Sequence, residues 1–304
     1  MALRAANVRR VRKLTAENNA TRGVIDQYET LEMRKMTGGC GAEVLGIDLA
    51  NDLSNRQWDE LRHVFFDHGV IFFRDQHLTP EQHIAFARRW GPIDVNKYFV
   101  PVDGYPEIAL VAKEKEQKTN IGGGWHTDHR YDAEPAMGSI LLAREVPDEG
   151  GDTLFSNMYL AYDALSDGLK QTLNGLRAVH SAEHVFGENS KRNNPERPKR
   201  NAHLAVGEAS HPVVITHPES GRRALFVNPG FTLRFEGWTP QESKPLLDYL
   251  YGHAVRPEFG CRFRWRSGSI VFWDNRCTWH YAANDYHGEK RLMHRITIAG
   301  SKLS

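Results

Sequence analysis

Cysteine is scarce in this chain. Its 304 residues hold three, Cys40, Cys261 and Cys277, too few and too scattered for a disulfide framework or a zinc finger. A reducing cytoplasm is the simplest setting for such a chain. No sign of charge dominates either: 39 Lys and Arg against 38 Asp and Glu leave a net +1, so nothing points to nucleic acid as a partner. Long hydrophobic runs are missing as well, none approaching the roughly 20 residues that cross a bilayer, and no membrane span is expected. Neither an internal repeat nor a clear domain linker is visible, and the length allows one large β-rich domain or two ordinary ones.

What the chain does carry is a series of short apolar stretches of strand length, Val70 to Phe73, Ser139 to Ala143, Pro212 to Ile215 and Ala224 to Val227. Three helices among them are marked by capping chemistry. Ser54 with Gln57 opens the first, whose apolar face is Trp58, Leu61, Val64 and Phe65 and whose end falls near Gly69. Thr79, Pro80 and Gln82 open the second, with Ile84, Ala87 and Trp90 inward and Gly91 as the stop. Thr239, Pro240 and Glu242 open the third, which contains Leu246, Leu247 and Leu250 and is expected to close at Gly252. Many short strands with a few flanking helices predict a mostly β fold with a sandwich or jelly-roll core.

Chemistry concentrates in one spaced pattern: His126-Thr127-Asp128, then His280, then Arg291 and Arg295. A β-strand sends residues i and i+2 to one face, so His126 and Asp128 can grip one metal while Thr127 points away. His280 is placed to complete the set, since it follows the apolar run Ile270 to Trp273 and the turn-like Asp274-Asn275. Two imidazoles and one carboxylate form the facial triad that holds non-haem Fe(II) with three positions open for oxygen chemistry. A reducing cytoplasm also keeps such iron ferrous. Further on, Arg291, Met293, Arg295 and Thr297 share a face by the two-residue period. Arginine suits carboxylates, because its planar fork donates two parallel hydrogen bonds and stays charged at any working pH. Burying two of them without anions is expensive. Two acidic ligands in one pocket is the economical reading, 2-oxoglutarate being one and an acidic substrate the other.

Each signal has a bland counterpart. Most of the 15 histidines are expected to be surface or satisfied core residues. His287-Gly288-Glu289 has the same spacing, but a glycine in a polar cluster reads as a turn, where the two-residue rule fails. Arg291 and Arg295 also suit a charged outer strand face, against which Met293 and Thr297 make that face mixed. His129, Arg130 and Tyr131 either line a pocket or pack behind it, and Trp125 and Trp279 read as packing.

Taken together, the order and spacing resemble the Fe(II)- and 2-oxoglutarate-dependent dioxygenases of the taurine dioxygenase/TfdA type, over nearly the full chain after about residue 30. The resemblance runs from Gly41-Ala-Glu-Val-Leu-Gly-Ile-Asp-Leu49 through Trp125-His126-Thr127-Asp128 and Gly150-Gly151-Asp152-Thr153. It continues through His211-Pro212, Thr216-His217-Pro218, Gly221-Arg222 and Val227-Asn228 to Trp273-Asp274-Asn275-Arg276 with His280, and closes on Arg291 and Arg295. It implies a double-stranded β-helix (jelly-roll) core with flanking helices. It also implies His126, Asp128 and His280 as iron ligands, Thr153 and Arg291 as holders of 2-oxoglutarate, and Arg295 as the anchor of the substrate's acidic group. The activity implied is hydroxylation of a small organic acid by O2, with 2-oxoglutarate leaving as succinate and CO2, and with cleavage of the product where the hydroxylated carbon bears an ether oxygen or a sulfonate. A cupin-type metal enzyme without 2-oxoglutarate is the alternative, and Arg291 and Thr153 argue against it.

One departure bears on substrate. Where the taurine enzymes use a histidine and a tyrosine against the sulfonate, this chain offers Asn96 and Phe99, which demotes taurine. The stretch from Gly91 looks more like the aryloxyalkanoate dioxygenase branch, whose substrates are ether-linked aromatic acids, and makes Tyr98 and Phe99 candidates for an aromatic substrate wall. The expected organisation is a basic tail over 1–30 and a single dioxygenase domain over 31–304, in a homo-oligomer. Arg4, Arg9, Arg10, Arg12 and Lys13 before the first acid, Glu17, match a transit peptide in charge, and the plain tail is preferred. The polar stretch 187–201 is either a solvated surface loop or a mobile lid over the iron.

Overall fold

The structure is a computed structural model that describes residues 28–188, 190 and 200–304. The basic tail therefore falls almost wholly outside the described residues, as does most of the 187–201 stretch. Capping sets the three helices where the sequence places their starts. Ser54, Thr79 and Thr239 each accept a hydrogen bond from the backbone three residues on, and Gln57, Gln82 and Glu242 each reach back to the cap. The resulting helices are Asn55–His68, Pro80–Arg88 and Pro240–Ala254. Gly69 closes the first in the left-handed region at φ 70°. Two ends differ from expectation. The second helix stops at Arg88, before Trp90 and Gly91. The third runs through Gly252 to Ala254, because Leu247, Leu250 and Ala254 share a buried face, and that burial outweighs the about 1 kcal/mol a helical glycine costs.

Nine strands form the main sheet. In spatial order they are Glu32–Lys35, Ala42–Leu45, Val70–Phe73, Ile270–Asp274, Gly138–Glu145, Arg291–Ile298, Tyr105–Lys113 and Pro101–Val102, with Ile93–Asp94 pairing the end of Arg291–Ile298. A second sheet sets Thr153–Asn157 between Gly260–Phe263 and Thr278–Ala282. The expected strand Pro212 to Ile215 is two, Ala209–Pro212 and Val214–Thr216. Val213 between them pairs elsewhere, with Leu176 and Phe226.

Alternation along the central strands sorts side chains into two layers. Ile270 and Phe272 face the first two helices, Phe272 stacking on Phe65 at 4.0 Å between ring centroids, while Val271 and Trp273 face Phe155 and Phe263 of the second sheet. The last strand obeys the same parity, with Ile296 and Ile298 on the helix side and Met293 between the sheets. Arg291 and Arg295 share the parity of Met293, so both guanidinium groups enter the interior of the sandwich. This mostly β architecture with flanking helices is the jelly-roll expected. No helix among the described residues is long and apolar enough to cross a membrane.

Candidate active site

His126, Asp128 and His280 meet between the sheets. His126 and His280 pair through an isolated antiparallel bridge, each N–H donating to the other's carbonyl at 3.1 and 2.8 Å. Asp128 lies beyond that bridge in a turn, so the three-residue motif is not a regular strand as expected. Thr127 still points away, donating to the Thr278 carbonyl at 2.9 Å. The carboxylate is aimed by Ser139, whose hydroxyl donates to Asp128 Oδ2 at 2.9 Å and accepts from Asn275 Nδ2 at 3.2 Å. Asn275 is fixed in turn by the indole N–H of Trp273 at 2.9 Å.

The donor set fits a metal ion. His126 Nε2 and His280 Nε2 lie 3.8 and 4.0 Å from Asp128 Oδ1, and the three ligand atoms fall within 4.8 Å of one another. Adjacent ligands of an octahedral ion sit about 3 Å apart, so closure needs side-chain shifts of under about 1 Å. His126 Nδ1 donates to the Gly124 carbonyl at 2.7 Å, which leaves Nε2 the lone pair a metal takes. Burial, and then neighbouring His126, push the His280 pKa well below its ordinary value, so that ring is neutral and ready to ligate. Burial opposes the charge on Asp128, but the Arg295 guanidinium leads the charges that outweigh it and hold the carboxyl below its usual range. Gly230 is a requirement of close approach, since a Cβ there meets His126 Cβ at 2.8 Å.

Arg291 is buried, and among the described residues it has no carboxylate within salt-bridge distance and its Nε has no hydrogen-bond partner. Burial lowers its pKa, as expected of a cation short of counter-charge. Thr153 reaches the same place through Trp265, whose indole N–H donates to Thr153 Oγ1 at 2.9 Å and whose ring lies 5.5 Å from the Arg291 guanidinium. On its strand Thr153 is two residues from Phe155, the residue paired with His280, a separation of about 7 Å. A buried guanidinium short of an anion, with a hydroxyl beside it on the strand that pairs with His280, suits a carboxylate, so these residues fit the far end of 2-oxoglutarate. Arg291→Met is expected to raise the half-saturating 2-oxoglutarate concentration by about 100-fold, the effect of leaving a buried carboxylate unpaired. Titration of 2-oxoglutarate in a succinate assay measures it, and a shift below about threefold would remove Arg291 from the role.

Arg295 has a different partner. Its Nη1 lies 3.3 Å from both Asp128 oxygens, while Nε is buried without a hydrogen bond among the described residues, and its guanidinium sits 4.5 Å over the Phe99 ring. It lines a cavity of about 1190 Å³ together with His126, Asp128 and a wall that includes Phe99, Tyr131, Phe186 and Phe231. Tyr98 also lines it, stacked on Phe186 at 4.5 Å. Asn96 is not among the lining residues. Its side chain is engaged within the protein, with Oδ1 accepting from the N–H of Tyr98 and Phe99 and Nδ2 facing His129. Arg130 packs away from the cavity, buried over Phe226 at 3.7 Å. His287 and Gly288 form a turn, as the glycine predicts.

Sequence reasoning missed Ser139, Trp265, Phe186 and Phe231. None stands beside a ligand in the chain, and no local pattern distinguishes them from ordinary core residues. The signal for Trp273 and Asn275 was present in the Trp-Asp-Asn-Arg run, without a role attached.

Comparison with known proteins agrees with this geometry. Residues 32–297 match the sequence model described as "Taurine catabolism dioxygenase TauD, TfdA family". An alkylsulfatase of Acinetobacter baylyi is 37% identical over 277 residues, covering 90% of this chain and 86% of that protein. An alpha-ketoglutarate-dependent sulfate ester dioxygenase of Pseudomonas putida is 33% identical, covering 93% and 94%. The crystal structure of a taurine dioxygenase from Burkholderia xenovorans superposes with a TM-score of 0.76 at 36% identity, covering 90% of this chain and 92% of that one. Matched over residues 32–297 by the family model and at 33–37% identity by relatives covered almost end to end, this chain belongs to the TauD/TfdA family and is a non-haem iron, 2-oxoglutarate-dependent dioxygenase.

Proposed function

We propose that the enzyme acts on organic sulfate esters, hydroxylating the carbon that bears the ester oxygen. The resulting hemiacetal-like sulfate collapses to a carbonyl compound and inorganic sulfate, with one O2 and one 2-oxoglutarate consumed and succinate and CO2 released. The observation that carries this reading is Arg295, a guanidinium lining an aromatic cavity beside Asp128 whose one hydrogen-bonding nitrogen among the described residues is Nη1. A guanidinium so placed suits a tetrahedral oxyanion. The likeness to proteins that act on alkyl sulfates and sulfate esters supports it.

Bound iron and 2-oxoglutarate supply the oxidant. The chain's own residues position and shield. Arg295 fixes the anionic head so that the adjacent carbon faces the metal ligands, which is the larger part of what a protein contributes to such chemistry. Phe99, Tyr131 and Phe231 exclude water around it, and Arg291 with Thr153 holds the far carboxylate of the co-substrate. The three free, buried cysteines suit a cytoplasmic setting.

The same aromatic wall favours a second reading, an aryloxyalkanoate whose ring stacks on Phe99. Succinate formation by the Fe(II)-loaded protein separates the two, using alkyl sulfates, alkylsulfonates and aryloxypropionates beside the His126→Ala variant. Alkyl sulfates should stimulate turnover about tenfold or more over the substrate-free rate and release inorganic sulfate, with none from the variant. Stimulation by aryloxypropionates alone, with phenol released, would establish the second reading instead. No stimulation by any acid would overturn Arg295 as the anchor.

A further inference from the structure

We propose that Asn96 and His129 are positioning residues, which hold Arg295 against the metal carboxylate through a closed circuit of contacts and so set how firmly an anionic substrate is gripped. The inference rests on the dioxygenase reading and on Arg295 as the substrate anchor.

The circuit starts where the chain passes from Asp128 into His129. His129 has φ 55°, one of three non-glycine residues with positive φ among those described. A side chain with a Cβ occupies that region only where its surroundings over-determine it. They do so here. His129 Nδ1 lies 2.9 Å from Asp132 Oδ2 and 3.2 Å from Asp94 Oδ2, and Nε2 lies 3.2 Å from Asn96 Nδ2. The Asn96 amide cannot be reversed, because its Oδ1 accepts the N–H of Tyr98 at 2.9 Å and of Phe99 at 3.1 Å. Its nitrogen therefore donates to Nε2, which places the ring proton on Nδ1 between the two carboxylates.

The same asparagine turn sets the position of Phe99, whose ring lies 4.5 Å under the Arg295 guanidinium. Arg295 closes the circuit on both oxygens of Asp128 at 3.3 Å. Asn96 does not line the cavity, so its influence passes through Phe99 on one side and His129 on the other. Arg291 and Thr153 stand outside the circuit, gathered at Trp265. A disturbance at Asn96 should therefore reach metal and substrate before it reaches 2-oxoglutarate.

The test compares wild type with Asn96→Ala, Asn96→Asp and His129→Ala. Mn(II) binding to the metal-free protein is measured by calorimetry. Half-saturating 2-oxoglutarate and alkyl sulfate are measured by succinate formation at saturating iron. Asn96→Ala and His129→Ala should each weaken Mn(II) about tenfold, as loss of a group orienting a ligand does. They should raise half-saturating alkyl sulfate by a similar factor and leave 2-oxoglutarate within about twofold. Asn96→Asp keeps the acceptor for Tyr98 and Phe99 but loses the N–H given to His129, and should recover the alkyl sulfate loss, which passes through Phe99, more than the Mn(II) loss, a split that a general loss of stability does not produce. Mn(II) and alkyl sulfate values within about twofold of wild type in Asn96→Ala, or 2-oxoglutarate moving in parallel with them, would overturn the proposal. If wild type responds to no sulfate ester, the substrate reading fails while the Mn(II) arm still decides the circuit.

Discussion

Asp128→Asn should abolish coupled turnover, a loss of at least about 1000-fold, corresponding to roughly 4 kcal/mol of transition-state stabilisation. The amide has the shape of the carboxylate but not its charge, and charge is what two interactions in this site need. The carboxylate is the anionic member of the candidate metal-binding triad and the partner of Arg295. Without it the buried guanidinium has no carboxylate within salt-bridge distance among the described residues, so metal binding and substrate orientation fail together. Succinate formation and iron retention after desalting measure the effect, with near-ultraviolet circular dichroism to check the fold. Activity within about tenfold of wild type would mean the metal is held elsewhere.

Arg276→Met should destabilise the folded protein by about 3–5 kcal/mol, with a fall in melting temperature on the order of 10 °C. Asp274 is fully buried, and Arg276 donates to it through Nε at 2.9 Å and Nη2 at 2.6 Å, while His217 Nε2 lies 2.9 Å from the other side. Burial disfavours the Asp274 charge, but Arg276 and His217 outweigh it and hold the carboxyl below its usual range. Folding thus gains from that charge above the ordinary carboxylate range, near pH 4, and loses the gain as pH falls lower. Removing the guanidinium leaves the carboxylate with the His217 imidazole and one backbone N–H, that of residue 276, and without its arginine cation, the costly outcome of breaking a buried pair. The Arg276→Met, Asp274→Leu double variant should be more stable than Arg276→Met, because the uncompensated charge is gone. Urea unfolding at pH 7 reads both. A loss below about 1 kcal/mol in the single variant would show that the cluster does little for the fold. Because Asp274 ends the strand that leads to His280, unfolding of this corner also carries away the third member of the candidate metal site.

Parts of this site were legible in the residue order and parts were not. The donor set was, because two histidines and an aspartate with two arginines beyond them have few other uses in one chain. The manner of their meeting was not. The two-residue period places His126 and Asp128 on one side, yet only His126 pairs with a neighbouring strand, and Asp128 is turned toward it by Ser139. Asn96 shows the converse. Its position relative to the family suggested contact with substrate, whereas its amide is consumed by His129 and by two backbone N–H groups. Gly252 read as a stop because glycine weakens a helix, and it is overridden by Ala254 packing beyond it.

By itself the sequence determined the three helix starts, the alternation of the central strands and which two histidines and aspartate gather as the candidate metal site. Each of those rests on chemistry that acts over a few bonds: a hydroxyl reaching the N–H three residues on, the pleat of a strand, the coordination preferences of imidazole and carboxylate. Tertiary structure alone decided that Arg295 pairs with Asp128, 167 residues away, that Trp265 joins Thr153 to Arg291 across 112, and that Asn96 braces His129. These pairings depend on which faces of two packed sheets meet and at what register. That is set by burial of the whole apolar surface at once, and no short stretch of the chain contains it.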